Sequence, residues 1–167
     1  MQCLKRNLRK GYSSMSINYR LLIEDPHQHY VRVEVDVPLN ELGFARVFMP
    51  SWSPGSYLLR EYARFIRRPE AKDSQGSFVD LSQVEKGTWE IQVKSSNEKM
   101  VTFSYEVYCH ELTVRTSFVN EEFAFIHGPS VFVGVENYLS EKTLLSIKFP
   151  QSWSKITTGL QDISPSR

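Results

Sequence analysis

A chain of 167 residues with 41% apolar and 13% aromatic content has the makeup of a globular protein, and can bury roughly 70% of its unfolded surface in one domain. Its formal net charge of +1 makes no case for nucleic-acid or membrane binding, and no run of about 18 apolar residues offers a membrane-spanning helix. The near-neutral total hides an asymmetry. Met1 to Ser14 carries Lys5, Arg6, Arg9 and Lys10 with no acid, so without those four the rest of the chain stands at −3.

This opening segment lacks the apolar core of about 7–15 residues that a secretory signal needs. Residues 1–14 are read as a basic leader outside the fold. Contact with nucleic acid or anionic lipid is the weaker reading, because four charges without a hydrophobic face hold little. Residues 15–160 are read as one β-domain, and 161–167 as the start of a connection to a further domain. Cys3 falls in the leader and Cys109 in an expected core strand, so no structural disulfide is expected, and a cytoplasmic location follows.

From Ile17 onward the dominant pattern has period two. Ile17, Tyr19, Leu21 and Ile23 alternate with polar neighbours, and Val31, Val33, Val35 and Val37 alternate with Arg32, Glu34 and Asp36. Further strands are expected at Phe44–Met49 and Phe78–Leu81, then along Trp89, Ile91 and Val93. Lys72–Ser77 and Ser95–Lys99 read as hairpin loops. The longest alternation is Val101, Phe103, Tyr105, Val107 and Cys109. After it the apolar parity changes to Leu112 and Val114, which predicts a bulge or tight bend near His110-Glu111. Strands are also expected at Val131–Val135 and Thr143–Phe149. Many short strands with turn signals predict an all-β fold: an antiparallel β-sandwich or an open barrel, with one short helix.

That helix is expected after the most distinctive stretch, Ser51 to Arg64. Pro54 and Gly55 suit the second and third places of a type II turn, and Ser56 can cap a helix from Tyr57 to Phe65. Leu58, Tyr62 and Phe65 would share one face, and Arg60, Arg64 and Arg67 another. Read by itself this is a capped surface turn. Trp52 and Tyr57 are expected to be at least partly buried, pinning the turn to the domain.

The same stretch resembles the N-terminal domain of the glycyl aminopeptidase family, zinc peptidases that end in a PDZ domain. Their pattern, roughly W-x-P-G-S-Y-x-x-R-x-[YF]-[AS]-[RK], is met by Trp52, Pro54, Gly55, Ser56, Tyr57, Arg60, Tyr62, Ala63 and Arg64. The likeness continues through Asp25-Pro26, His29, Tyr105 to Tyr108, and Leu112 to Arg115. It takes in His127 to Phe132, and Trp153 with Thr158-Gly159-Leu160, so it spans Ile17 to Leu160. His127 stands where the family pattern has asparagine and Pro129 where it has a small residue. The resemblance implies that His127, Gly128 and Ser130 face a substrate cleft.

Chemistry is another matter. Zinc peptidases of that kind need H-E-x-x-H on a helix, so that two histidines on one face hold the metal beside a glutamate base. The only His-Glu pair is His110-Glu111, with Val114 in the second histidine's place. No catalytic or metal-ligating residue is therefore assigned. His127 to Phe132 lacks the second glycine of a nucleophile elbow. His27 and His29 are expected to be solvated at a turn. The arginines at 60, 64, 67 and 68 could receive a carboxylate or phosphate, but read better as a solvated face partly paired with Glu61.

The expectation is a non-catalytic N-terminal domain, or gene fragment, of a glycyl-aminopeptidase-like zinc peptidase. The resemblance implies that it packs on the catalytic domain of the same polypeptide and walls the substrate cleft. Zinc would be held by that other domain, and peptide substrate would bind only in the full-length protein. The alternative is a free-standing β-sandwich interaction module with no enzymatic role. Either way, an apolar face is expected at the end carrying His127 to Phe132 and Leu160, through which the chain would self-associate.

Overall fold

In a computed structural model, residues 16–53, 55, 57–94 and 97–163 are described. The leader with Cys3, the Ser56 cap, Pro54 of the Pro-Gly turn and the last four residues lie outside the described residues.

Eleven strands are formed by the described residues: β1 (Ser16–Leu22), β2 (Tyr30–Pro38), β3 (Phe44–Phe48), β4 (Ile66–Lys72), β5 (Asp80–Glu85), β6 (Thr88–Gln92), β7 (Met100–Tyr108), β8 (Phe118–Val119), β9 (Ala124–Phe125), β10 (Gly134–Val135) and β11 (Lys142–Lys148). One α-helical turn, α1, covers Gly128–Val131. A five-stranded sheet in the order β11-β1-β2-β7-β4 faces a four-stranded sheet in the order β10-β3-β6-β5, and β8 pairs with β9. All pairings are antiparallel except β1 with β11. The architecture is an all-β sandwich, not a closed barrel.

The period-two alternations become its inner faces. Val31, Val33, Val35 and Val37 pair in register with Val107, Tyr105, Phe103 and Val101, and all eight are buried. Across the sandwich Trp89 packs on Phe103 at 5.8 Å between ring centroids. Tight turns rest on residues that can take a positive φ. Gly43 (φ 69°) brings its α-carbon so close to Val93 that an added Cβ would sit 2.8 Å from that residue's carbonyl oxygen.

Several expectations need correction. The hairpin expected across Ser95–Lys99 is not one, because β6 and β7, the strands on either side, belong to different sheets. The expected helix over Tyr57–Phe65 shrinks to one 3-10 turn, Tyr62–Phe65, and strand β4, which carries the Arg67 assigned to the helix's basic face, begins directly after it. Arg67 and Glu106 pair across strands, a role that periodicity in arginines does not announce. Pro69 sits in β4 at a register shift between Arg67 and Glu70, next to Arg68 at φ 50°. A proline is tolerated there because β4 is an edge strand and the ladder is already broken by the bulge. Of the bulge or tight bend expected near His110-Glu111, the structure has the bend: His110 bridges antiparallel to Phe118 and the chain turns back between them. Strand β7 ends at Tyr108, and Leu112 and Val114 are exposed in the loop after it. Val131–Val135 is not one strand. It is the end of α1 followed by the two-residue β10, and Val131, Val133 and Val135 are buried while Phe132 is half-buried. Phe78 contributes only a bridge to Lys72, and β5 begins at Asp80.

Candidate functional site

The signature loop leaves the second sheet after β3. Its ends are tied by the Arg60 amide, which donates to the Ser51 carbonyl at 2.7 Å, and Gly55 has the positive φ (83°) that the third place of a type II turn requires. The aromatic anchors behave differently from expectation. Trp52 is 50% exposed and Tyr57 fully exposed, with Leu58 and Leu59 also outside. Tyr62 anchors the stretch instead: it is 2% exposed, in the 3-10 turn. Aromatic residues beside the turn thus differ in burial, and their spacing carries no burial signal there. Gly87 (φ 80°) lets the β5–β6 turn close beneath this stretch, where an added Cβ would meet that of Ala63 at 2.9 Å.

Three of the four arginines are already engaged. Arg64 reaches Glu111 at 3.5 Å, Arg67 and Arg68 share Glu106 at 2.6 and 3.3 Å, and Arg67 also lies over the Tyr30 ring at 3.3 Å. Glu61, the partner expected for them, pairs with Lys86.

The second element is the turn from His127 to Val131, which lies against Tyr62. The rings of Tyr62 and His127 are 6.1 Å apart. The turn is held from within. The His127 amide donates to Ser117 Oγ, Ser117 and Ser130 hydroxyls meet at 2.9 Å, and Ser130 Oγ donates to the His127 carbonyl. Ser130 is thus buried and structural in this chain, with no side chain offered at the surface. His127 and Gly128 are half-buried. Burial lowers the His127 pKa, which favours the neutral imidazole, and its Nδ1 atom, like the Tyr62 hydroxyl and Arg60 Nε, is buried without a hydrogen-bond partner. Beneath the turn the Tyr105 hydroxyl donates to the Val131 carbonyl at 2.8 Å and accepts from the Val133 amide at 3.0 Å.

The remaining histidines are not simply solvated. His27 is exposed and pairs with Glu121 at 2.7 Å. His29, in the left-handed region at φ 58°, has Nδ1 2.6 Å from the Val119 carbonyl, and its ring lies 4.0 Å from that of His110. Among the described residues no group of three or more His, Cys, Asp or Glu side chains is placed to hold a metal ion. Cys109 is a free thiol pushed up to about 12 by burial, which makes it inert as a nucleophile.

Next to Gly128 opens a feature that sequence reasoning located only at its edge, an apolar groove of about 960 Å³. Gly128, Phe132 and Leu160 line it as expected of that end, but so do Tyr19, Leu145, Ile147, Phe149 and Trp153. The alternation along β1 signalled an inner sheet face. What it could not signal is that this face runs on across β11, where Leu145 and Ile147 are only half-buried.

Sandwich, signature loop and buttressed His127 turn belong to an N-terminal domain of peptidase type. The chain belongs to the peptidase M61 N-terminal domain family, whose model matches residues 18–167. A crystal structure of an aminopeptidase N family protein from Idiomarina loihiensis superposes with a TM-score of 0.73 at 26% identity, covering 81% of this chain and 22% of that one. The chain therefore spans about a fifth of that protein's length. An inactive mutant of a GH20 exo-β-N-acetylglucosaminidase from Vibrio harveyi also matches, over 90% of this chain and 21% of that one, but a TM-score of 0.31 at 9% identity carries no argument. No curated protein matches by sequence. Among the described residues no helix is long and apolar enough to cross a membrane.

Proposed function

We propose that the chain serves as the non-catalytic N-terminal domain of a glycyl-aminopeptidase-type zinc peptidase, acting in the cytoplasm. In this reading residues 15–160 pack against a catalytic domain of the same polypeptide, and the His127-Gly128 turn with the signature loop forms one wall of the substrate cleft. Zinc and the residues that hydrolyse the first peptide bond belong to the catalytic domain, and peptide is bound only when both are present. The observation that carries the reading is the family match along 18–167, reinforced by the aminopeptidase-family neighbour. The same match supports it over a free-standing interaction module, which the open groove taken by itself would equally suit.

The test is an assay of glycyl and alanyl anilide cleavage by the product of the complete reading frame and by the 167-residue chain. Cleavage by the complete product that a chelator abolishes, with none by the chain, is the expected result. Chelator-sensitive cleavage by the chain itself would overturn the reading. An inert complete product would return the domain to the interaction-module class.

A further inference from the structure

The inner face of the five-stranded sheet loses its cover step by step toward β11. On β2 and β7 the inward side chains are fully buried, and on β1 Ile17 and Leu21 are buried while Tyr19 is half-buried. The parallel register continues this face onto β11, Tyr19 opposite Leu145 and Leu21 opposite Ile147, yet Leu145 and Ile147 are only half-buried. Five strands face four, and over the uncovered end stand single rings. Phe132 meets Tyr19 edge-on at 5.6 Å, and Trp153 stacks on Phe149 at 6.3 Å. The groove between them is a core that this chain leaves unfinished.

We propose that this groove is the seat of the polypeptide that continues beyond the domain, filled by a convex, apolar face of it. The inference rests on the functional reading above and specifies where the two parts meet. Residues 152–160 form one wall, so the chain runs along the groove as it leaves the domain. In the Idiomarina loihiensis protein the matched region is 22% of the chain, so most of that polypeptide lies outside it. Charge points the same way. The groove's lining holds one acid and one base, Glu122 and Lys155, so an ionic partner gains little there. On the opposite face of the same sheet, Arg20, Arg32 and Arg67 are each paired with an acid already. Burying that face would require desolvating the pairs, whereas closing the groove removes apolar surface from water.

Amide hydrogen exchange on the 167-residue chain and on the product of the complete reading frame tests this. The expected result is exchange slowed about tenfold or more in the longer protein along 122–126, β11 and 153–160, with the outer face of β2 and β4 unchanged. Ile156→Asp with Leu160→Asp, at positions 47% and 60% exposed, leaves the domain folded and should abolish that protection. Slowed exchange elsewhere but not here would overturn the groove as the seat while leaving the functional reading intact. No slowing anywhere would overturn both. Protection of the groove that appears in the 167-residue chain and rises with its concentration would assign the groove to a second copy, and would also overturn the proposal.

Discussion

The Tyr105 hydroxyl is fully enclosed and joins β7 to the turn that carries His127 and Gly128, donating to the Val131 carbonyl and accepting from the Val133 amide. Burial drives its phenol well above the ordinary tyrosine range, so it stays protonated and keeps both bonds at any working pH. Tyr105→Phe leaves a buried carbonyl and a buried amide unsatisfied. We expect a loss of about 2 kcal/mol in the free energy of unfolding by denaturant, with the slope unchanged. Tyr57 makes the opposite case. Because its ring is fully exposed, Tyr57→Ala should leave the thermal midpoint within about 1 °C of the parent, as surface substitutions generally do. Gly87→Ala should cost more than either propensity or size suggests, since the residue must hold φ 80° and its Cβ would press on Ala63.

Among elements, β2 shows how one strand serves two environments. Its valines fill the core while Arg32, Glu34 and Asp36 join a lattice of ion pairs with Arg20 and Glu70 on the outer face. Burial pushes the carboxyls of Glu34, Asp36 and Glu70 upward. Hydrogen bonds from Arg20 to Glu34 and Asp36, and from Arg32 to Glu34 and Glu70, outweigh it, leaving all three below their ordinary values. A carboxylate depressed in the folded state stabilises the fold above its unfolded pKa of roughly 4, and that contribution is lost as pH falls through the depressed value. Stability should therefore hold level from neutrality down to about pH 5 and fall below pH 4. Arg20→Met should flatten that acid limb by removing the partner of both Glu34 and Asp36. Denaturant midpoints measured from pH 2 to 7 check both statements, and an acid limb of equal steepness in the variant would count against the lattice.

At the scale of the whole molecule, Cys109 reports on cooperativity. It is completely enclosed at the end of β7, with its amide bonded to the His29 carbonyl and its own carbonyl accepting from Val119. In a Cys3→Ser background, thiol reagent should modify Cys109 only as fast as the sandwich opens. A reaction that completes within seconds in buffer would mean that the β7 end opens locally, without the rest of the fold.

What the chain determines by itself is the sandwich and most of its core. The alternations of β1, β2, β6 and β7 name their buried sides correctly, because side chains in a strand alternate faces whatever lies opposite. The signature between Trp52 and Arg64 and the segments around it were also enough to point to the family, though they misplaced the anchor. Aromatic residues beside a turn do not reveal whether that turn folds onto the body or projects from it, and here Tyr62 is enclosed while Tyr57 is not. The helix was lost for a related reason: arginines three and four apart suit a helix face, but Arg67 belongs to edge strand β4, where Glu106 and the Tyr30 ring receive it, and Arg64 pairs with Glu111. Strand partners, the crossover between β6 and β7, the parallel docking of β11 on β1 and the groove beside it were decided only in three dimensions. Each depends on which strand lies opposite another, and period-two patterning carries no information about that, since a covered inner face and an uncovered one are written with the same residues.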